Sequence, residues 1–338
     1  MIQLKELSRC KVKKKSCLTK DRGNLMMKDD PRKITYGAMM IALFAILLAI
    51  VLYIPPVGIV TMYLTPLPII LYGLRYDRSA TILVTMVGIV LSLLVGGIAL
   101  LSFAFVFGLA GLMIAEMVKM GKSKLYIYMG LGLMYMIMGA LTYIGAVLLF
   151  NFNFIDVVFT TMRETQDQLA SFMGTYGSLP PNYEEMSDSL FTYYEHSIPS
   201  AFILSCFVLA LLTVVPTLFL AKRLGHEVPK FPPFREMRLP LMTVILYGVI
   251  LVLNLTVAME PGSNLYLICV NATVILRILL LLQGISFIHF YLHKMKLPGI
   301  VTVVATLFAL LLQPITTFLG ILDAGVNIRA WIGKDKGK

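Results

Sequence analysis

An arginine in the middle of an otherwise apolar run is the residue best placed to do chemistry in this chain of 338 residues. Arg277 lies inside the stretch 265–291, which also holds Asn271, Gln283 and His289, and Asn254 sits near mid-depth of the preceding stretch, 241–259. A guanidinium keeps its proton at any working pH and carries five donors, so in hydrocarbon it must meet a carboxylate, backbone carbonyls or an anionic ligand. Asp323 and Glu260, each beyond the end of an apolar run, are the candidate counter-charges. Arg277, Asn254, Asn271 and Gln283 form the candidate ligand-binding set for a small polar or anionic solute, with a structural ion pair as the alternative. Glu116, three residues before Lys119, reads as a helix-end pair.

Other chemistries lack their parts. Gly121-Lys122-Ser123 matches the end of a phosphate-binding loop, but Glu116 stands where that loop needs its first glycine. No HExxH, GxSxG or paired intramembrane carboxylate occurs, so no catalytic residue is assigned and the chain reads as a non-enzyme without cofactor. Cys10, Cys17, Cys206 and Cys269 show no CxxC spacing, which leaves no disulfide framework and no metal site to expect.

The elements that hold these residues are membrane helices. A chain that is 58% apolar and 14% charged, with mean hydropathy +0.84, has more hydrocarbon than a soluble core can enclose. The fold class expected is an all-α integral membrane protein of the cell membrane with about nine transmembrane helices. They fall at about 34–54, 59–74, 79–95, 98–118, 125–150, 198–221, 241–259, 265–291 and 298–320. Eight is the rival count, because Pro314 interrupts the last segment. Pro55-Pro56 should end the first helix, Pro66 and Pro68 should break the second, and Gly96-Gly97 should turn the third into the fourth. Residues 151–197 hold seven acids and one base, and their apolar residues repeat at helical spacing on both sides of Pro180-Pro181. Two amphipathic helices near the headgroups are expected there, as a surface feature or as a lid.

Charge sets the orientation. Residues 1–33 carry eleven Lys/Arg against four Asp/Glu, which is most of the net +11. The connectors 75–78, 119–124, 222–240 and 292–297 carry twelve more, whereas the alternate connectors carry one. This asymmetry puts the N-terminus and the basic loops in the cytoplasm and the acidic 151–197 loop outside, and it removes any need for nucleic acid as the partner of the charge. Arg329, Lys334, Lys336 and Lys338 disagree, since nine spans would put them outside. Met26 and Met27 are alternative starts. The domains expected are a basic segment 1–33, a membrane half 34–221, a loop 222–240, helices over 241–322 and a basic tail 323–338.

Two stretches offer interfaces besides the bilayer. Ala38, Ala42, Ala45 and Ala49 make a small-residue stripe on which another helix can pack closely. Phe231-Pro232-Pro233-Phe234, in the proline-stiffened loop, offers a docking segment for a cytosolic or membrane partner.

Gly37-Ala38-Met39-Met40-Ile41-Ala42-Leu43, Ile54-Pro55-Pro56 and Thr65-Pro66-Leu67-Pro68-Ile69-Ile70 resemble the opening of the substrate-binding S components of energy-coupling-factor vitamin transporters. The resemblance covers about 120 residues. It implies an S-component-like six-helix bundle, here followed by a three-helix extension, with the alanine stripe facing a coupling subunit. Lys222-Arg223-Leu224-Gly225, Phe231-Pro232-Pro233-Phe234, Arg238-Leu239-Pro240, the run Gln283 to Tyr291, Gly320-Ile321-Leu322-Asp323 and Arg329 are similar to the YybS-type family of uncharacterised membrane proteins of Gram-positive bacteria. Two functions are therefore carried forward. One is a motor-less substrate-binding or transport subunit, and the other is a membrane scaffold or regulator that docks a partner through 222–240.

Overall fold

The computed structural model describes residues 30–177, 182–326 and 328–329. The basic block before residue 30, with Cys10, Cys17, Met26 and Met27, lies outside the described residues. So do Pro180-Pro181, Lys334, Lys336 and Lys338.

Among the described residues the regular structure is all helix, as the apolar runs require. The helices are α1 (Asp30–Tyr53), α2 (Pro55–Leu64), α3 (Leu67–Arg75), α4 (Arg78–Ile98), α5 (Leu100–Lys119), α6 (Lys124–Phe150), α7 (Phe154–Tyr176), α8 (Tyr183–His196) and α9 (Ile198–Arg223). A 3₁₀ turn at Phe234–Glu236 precedes α10 (Leu241–Thr256), α11 (Asn264–Lys294), α12 (Gly299–Leu311) and α13 (Gln313–Val326). Among the described residues seven helical stretches are long and apolar enough to cross a bilayer, with α2 and α3 together forming one of them. The count becomes eight if α12 and α13, bent by 105° at Leu312, are taken as one broken span. The expected ninth depends on α10, whose 16 residues reach only roughly 24 Å, short of a hydrocarbon core of about 30 Å. Large apolar side chains stand exposed along these helices, Leu94, Leu148, Leu255 and Ile300 among them, a surface consistent with contact to a bilayer.

The chain packs as two compact units, the first formed by Met1–Leu131 with Leu209–Pro229 and the second by Gly132–Val208 with Lys230–Lys338. In the first unit α1 turns one face inward, Gly37, Met40, Phe44 and Leu48, at the three- and four-residue spacing of a helix stripe. Ala38 and Ala42 are exposed, and Ala45 and Ala49 are half-buried. The alanine stripe therefore lies off the inward face. Pro55 and Pro56 occupy the first turn of α2, where a missing amide hydrogen costs no helix bond, and α1 ends just before them. Thr65-Pro66 separates α2 from α3, and α3 is buried from Leu67 to Gly73. Gly73 and Gly111 lie where a Cβ would meet Ala115 and the Pro66 carbonyl, so α3 and α5 approach at backbone distance. Between α4 and α5, Gly97 has φ +66° and ψ −156°, a conformation open to glycine and strained for other residues. Buried threonines return their hydroxyls to their own helix, Thr61 to the Val57 carbonyl at 2.9 Å and Thr85 to the Thr81 carbonyl at 2.7 Å, which leaves them satisfied away from water. At one end of this unit the rings of Tyr36, Tyr72 and Tyr76 cluster, and the Arg75 guanidinium lies 5.0 Å from the Tyr36 ring centre.

In the second unit, Gly132 and Gly139 of α6 admit the rings of Phe207 and Phe202 from α9. The 151–197 segment forms the amphipathic α7 and α8. A groove of about 360 Å³ runs between them, walled by Met162, Leu169, Leu190 and Phe191 with Thr161, Thr165 and Gln166. The closest helix contact in this unit is between α11 and α13. At Gly284 a Cβ would run into the Thr316 carbonyl, and at Gly320 into the Leu280 carbonyl. These paired glycines bring the two backbones together and place the polar residues that follow them side by side.

Candidate functional site: a buried ion pair beyond the last helix

Three turns of α11, the end of α13 and the loop before α10 meet around one carboxylate. Asp323 and Arg329 form an ion pair whose side chains are each 1% exposed. Arg329 Nε donates to both Asp323 oxygens, at 3.1 Å to Oδ1 and 2.9 Å to Oδ2, and Nη2 lies 2.7 Å from Oδ2. Gln283 Nε2 donates to the same Oδ2 at 2.5 Å. The two Nη nitrogens of Arg329 reach further partners: Nη1 donates to the Arg235 carbonyl at 2.6 Å and Nη2 to Ser286 Oγ at 3.1 Å. The Phe290 ring flanks the guanidinium at 5.3 Å.

The network extends outward into the loop by backbone groups. Ser286 donates to the Phe234 carbonyl at 2.8 Å, with the Met237 carbonyl a second acceptor at 3.1 Å, and the Leu239 amide donates to Gln283 Oε1 at 3.0 Å. Burying two charges is favourable only when attraction and added hydrogen bonds together offset the lost hydration. Here Gln283 and Ser286 of α11 and the Arg235 carbonyl of the loop add three hydrogen bonds to the pair. Both Asp323 oxygens accept from described donors, so the arrangement braces the loop against α11 and α13.

The four candidate ligand residues do not converge. Gln283 belongs to this network. Asn271 accepts from the Ser200 amide at 2.8 Å and donates to the His196 carbonyl at 2.8 Å, so it joins α11 to the junction of α8 and α9. Asn254 is exposed on α10, and Arg277 is exposed on α11 with no hydrogen bond or ion pair to a described residue. Asp323, named as a counter-charge for Arg277, is engaged by Arg329, and Glu260 is exposed. His289 Nε2 lies 2.7 Å from Thr306 Oγ1, and its ring meets Phe234 edge-on at 5.4 Å. Glu116 lies 3.6 Å from Lys119, as the spacing suggests. Among the described residues no group of three His, Cys, Asp or Glu could hold a metal. Arg329 is the residue that sequence reasoning placed in a basic tail and did not link to Asp323.

A match to the family described as "Predicted membrane protein (DUF2232)" runs over residues 42–324, most of the chain. The chain belongs to this family. The DUF2232 match takes in α11 and Asp323 and stops five residues before Arg329. An uncharacterised protein of Bacillus subtilis (strain 168), YybS, is 30% identical over 305 residues, covering 88% of this chain and 97% of its own length. No solved structure matches. The expected likeness of the opening helices to transporter S components is not shown by these matches.

Proposed function

We propose that this DUF2232 protein is a non-catalytic membrane scaffold that docks a partner through the loop around Phe231-Pro232-Pro233-Phe234, with its N-terminus and this loop in the cytoplasm. One observation supports the reading above the others: the buried network binds loop backbone, at Phe234, Arg235, Met237 and Leu239. Pro232 and Pro233 stand exposed next to these pinned carbonyls, and Phe234 is 39% exposed. A loop already held in one conformation loses little entropy on binding, so a short apolar segment can dock usefully. The basic connectors support the cytoplasmic side.

The solute-binding reading needs Arg277, Asn254, Asn271 and Gln283 to share a pocket, and their separate engagements give it no support. The groove between α7 and α8 is lined largely by carbon, a poor match for a polar or anionic solute. A photo-crosslinking residue at Pro233, tested in cells with and without Phe234→Ala, examines the scaffold reading. A discrete adduct lost on Phe234→Ala, with thermal unfolding of the purified variant unchanged, is the expected result. An adduct indifferent to Phe234, or none at all, would refute it.

A further inference from the structure

Arg277 carries a consequence independent of the loop. It lies thirteen residues after Asn264 and seventeen before Lys294, so roughly 20 Å and 26 Å along α11 separate it from the two ends. A bilayer centred on this 31-residue helix puts Arg277 roughly 3 Å from mid-membrane. Among the described residues it is the sole Lys or Arg away from the ends of the apolar helices. The guanidinium is exposed and makes no hydrogen bond or ion pair with a described residue. A permanent charge in hydrocarbon is retained where something pairs with it.

A second copy of this chain does not supply the pair. Of its 18 acidic residues, three lie within the described apolar helices: Asp30, the first residue of α1, Glu116 and Asp323. Glu116 is three residues from the end of α5 beside Lys119, and Asp323 is enclosed by Arg329 and Gln283. We propose that Arg277 marks the contact for a membrane-spanning helix of a different protein that carries a carboxylate near mid-membrane. Charge complementarity selects this occupant: a bare carboxylate is as costly at that depth as a bare guanidinium, and association satisfies both.

The test uses the full chain in liposomes with a labelled 23-residue oligo-leucine helix bearing one central Glu, and the same helix with central Leu. Energy transfer should show at least tenfold tighter association for the Glu helix. Arg277→Leu should remove the preference, and Arg277→Lys should keep part of it. Equal association of the two helices, or a preference that survives Arg277→Leu, overturns the proposal. A second measurement separates a lipid-facing contact from a wet cavity. In a background with the four native cysteines replaced by alanine, Arg277→Cys should resist a bulky water-soluble maleimide and react with a membrane-permeant thiol reagent. Rapid reaction with the water-soluble reagent from either side would mean a solvated cavity and would equally overturn the proposal.

Discussion

Arg329 and Asp323 stand six residues apart, and the guanidinium of the one lies against both carboxylate oxygens of the other, with both side chains closed from solvent. Residues three or four apart share a helix face and residues six apart do not. The pair is therefore a tertiary closure, in which the end of the chain's last described helix fastens the 234–239 loop to α11.

Breaking that closure on one side leaves a buried charge alone. Arg329→Met or Asp323→Leu should each lower unfolding stability by about 3–5 kcal/mol, whereas the double replacement should cost clearly less than their sum. Denaturant unfolding of the four proteins in detergent provides the check. Strictly additive losses would show that the two groups do not act on each other.

The closure also depends on two glycines. Gly284→Ala and Gly320→Ala each push a methyl group into a backbone carbonyl, which cannot rotate away as a side-chain end can. Each should cost at least about 1–3 kcal/mol, the usual range for overpacking. Gly145→Ala and Gly248→Ala, where nothing lies within 4 Å, serve as controls and should be neutral or slightly stabilising. Thermal unfolding midpoints that fell equally for all four would refute the close approach of α11 and α13.

Much of this fold was legible because hydrocarbon and backbone chemistry act locally. Pro55-Pro56 ended a helix for want of amide hydrogens, Gly96-Gly97 supplied a conformation closed to other residues, and the acidic 151–197 segment formed the two amphipathic helices its spacing suggested. The network was not legible, because its contacts join residues up to 94 positions apart and half of its hydrogen bonds run to backbone atoms, which carry no mark in a sequence. Arg277 drew attention as a charge in an apolar run, and Arg329 did not, lying among the basic residues of a tail. A carboxylate in the last turn of an apolar helix with an arginine shortly after it is the signal that would have found the pair.

Asp77 gives a pH-dependent test outside the membrane helices. It caps α4 by accepting from the Ala80 amide at 3.3 Å and pairs with Lys33, and the hydrogen bond from Lys33 holds its carboxyl below the usual range. A lowered folded-state value means the contribution is present above the ordinary carboxylate value of about 4 and disappears as pH falls through the lowered one. The carboxylate is 58% exposed, so the effect is small, within the roughly 0–1 kcal/mol of surface pairs. Asp77→Asn should keep the cap and lose the pair, so its melting midpoint should lie slightly below that of the parent at pH 6 and converge with it toward pH 3. A gap that persisted unchanged at acid pH would mean the pair contributes nothing.

Asn271 and Asn254 were grouped by residue type, and the structure separates them. Asn271 receives the Ser200 amide and donates to the His196 carbonyl, and Ser200 is wholly buried, so Asn271→Ala leaves a backbone donor without water or protein to accept it. An unsatisfied buried group costs about 1–3 kcal/mol, and the loss of two bonds places Asn271→Ala in the upper part of that range. Asn271→Asp keeps an acceptor for Ser200 but sets a carboxylate oxygen against the His196 carbonyl, so it should rescue little. Asn254→Ala, on an exposed face of α10, should leave stability unchanged. Unfolding midpoints for the three variants, with hydrogen exchange at the Ser200 amide, decide the matter. Equal effects of Asn254→Ala and Asn271→Ala would mean that Asn271 does not hold the junction of α8 and α9 to α11.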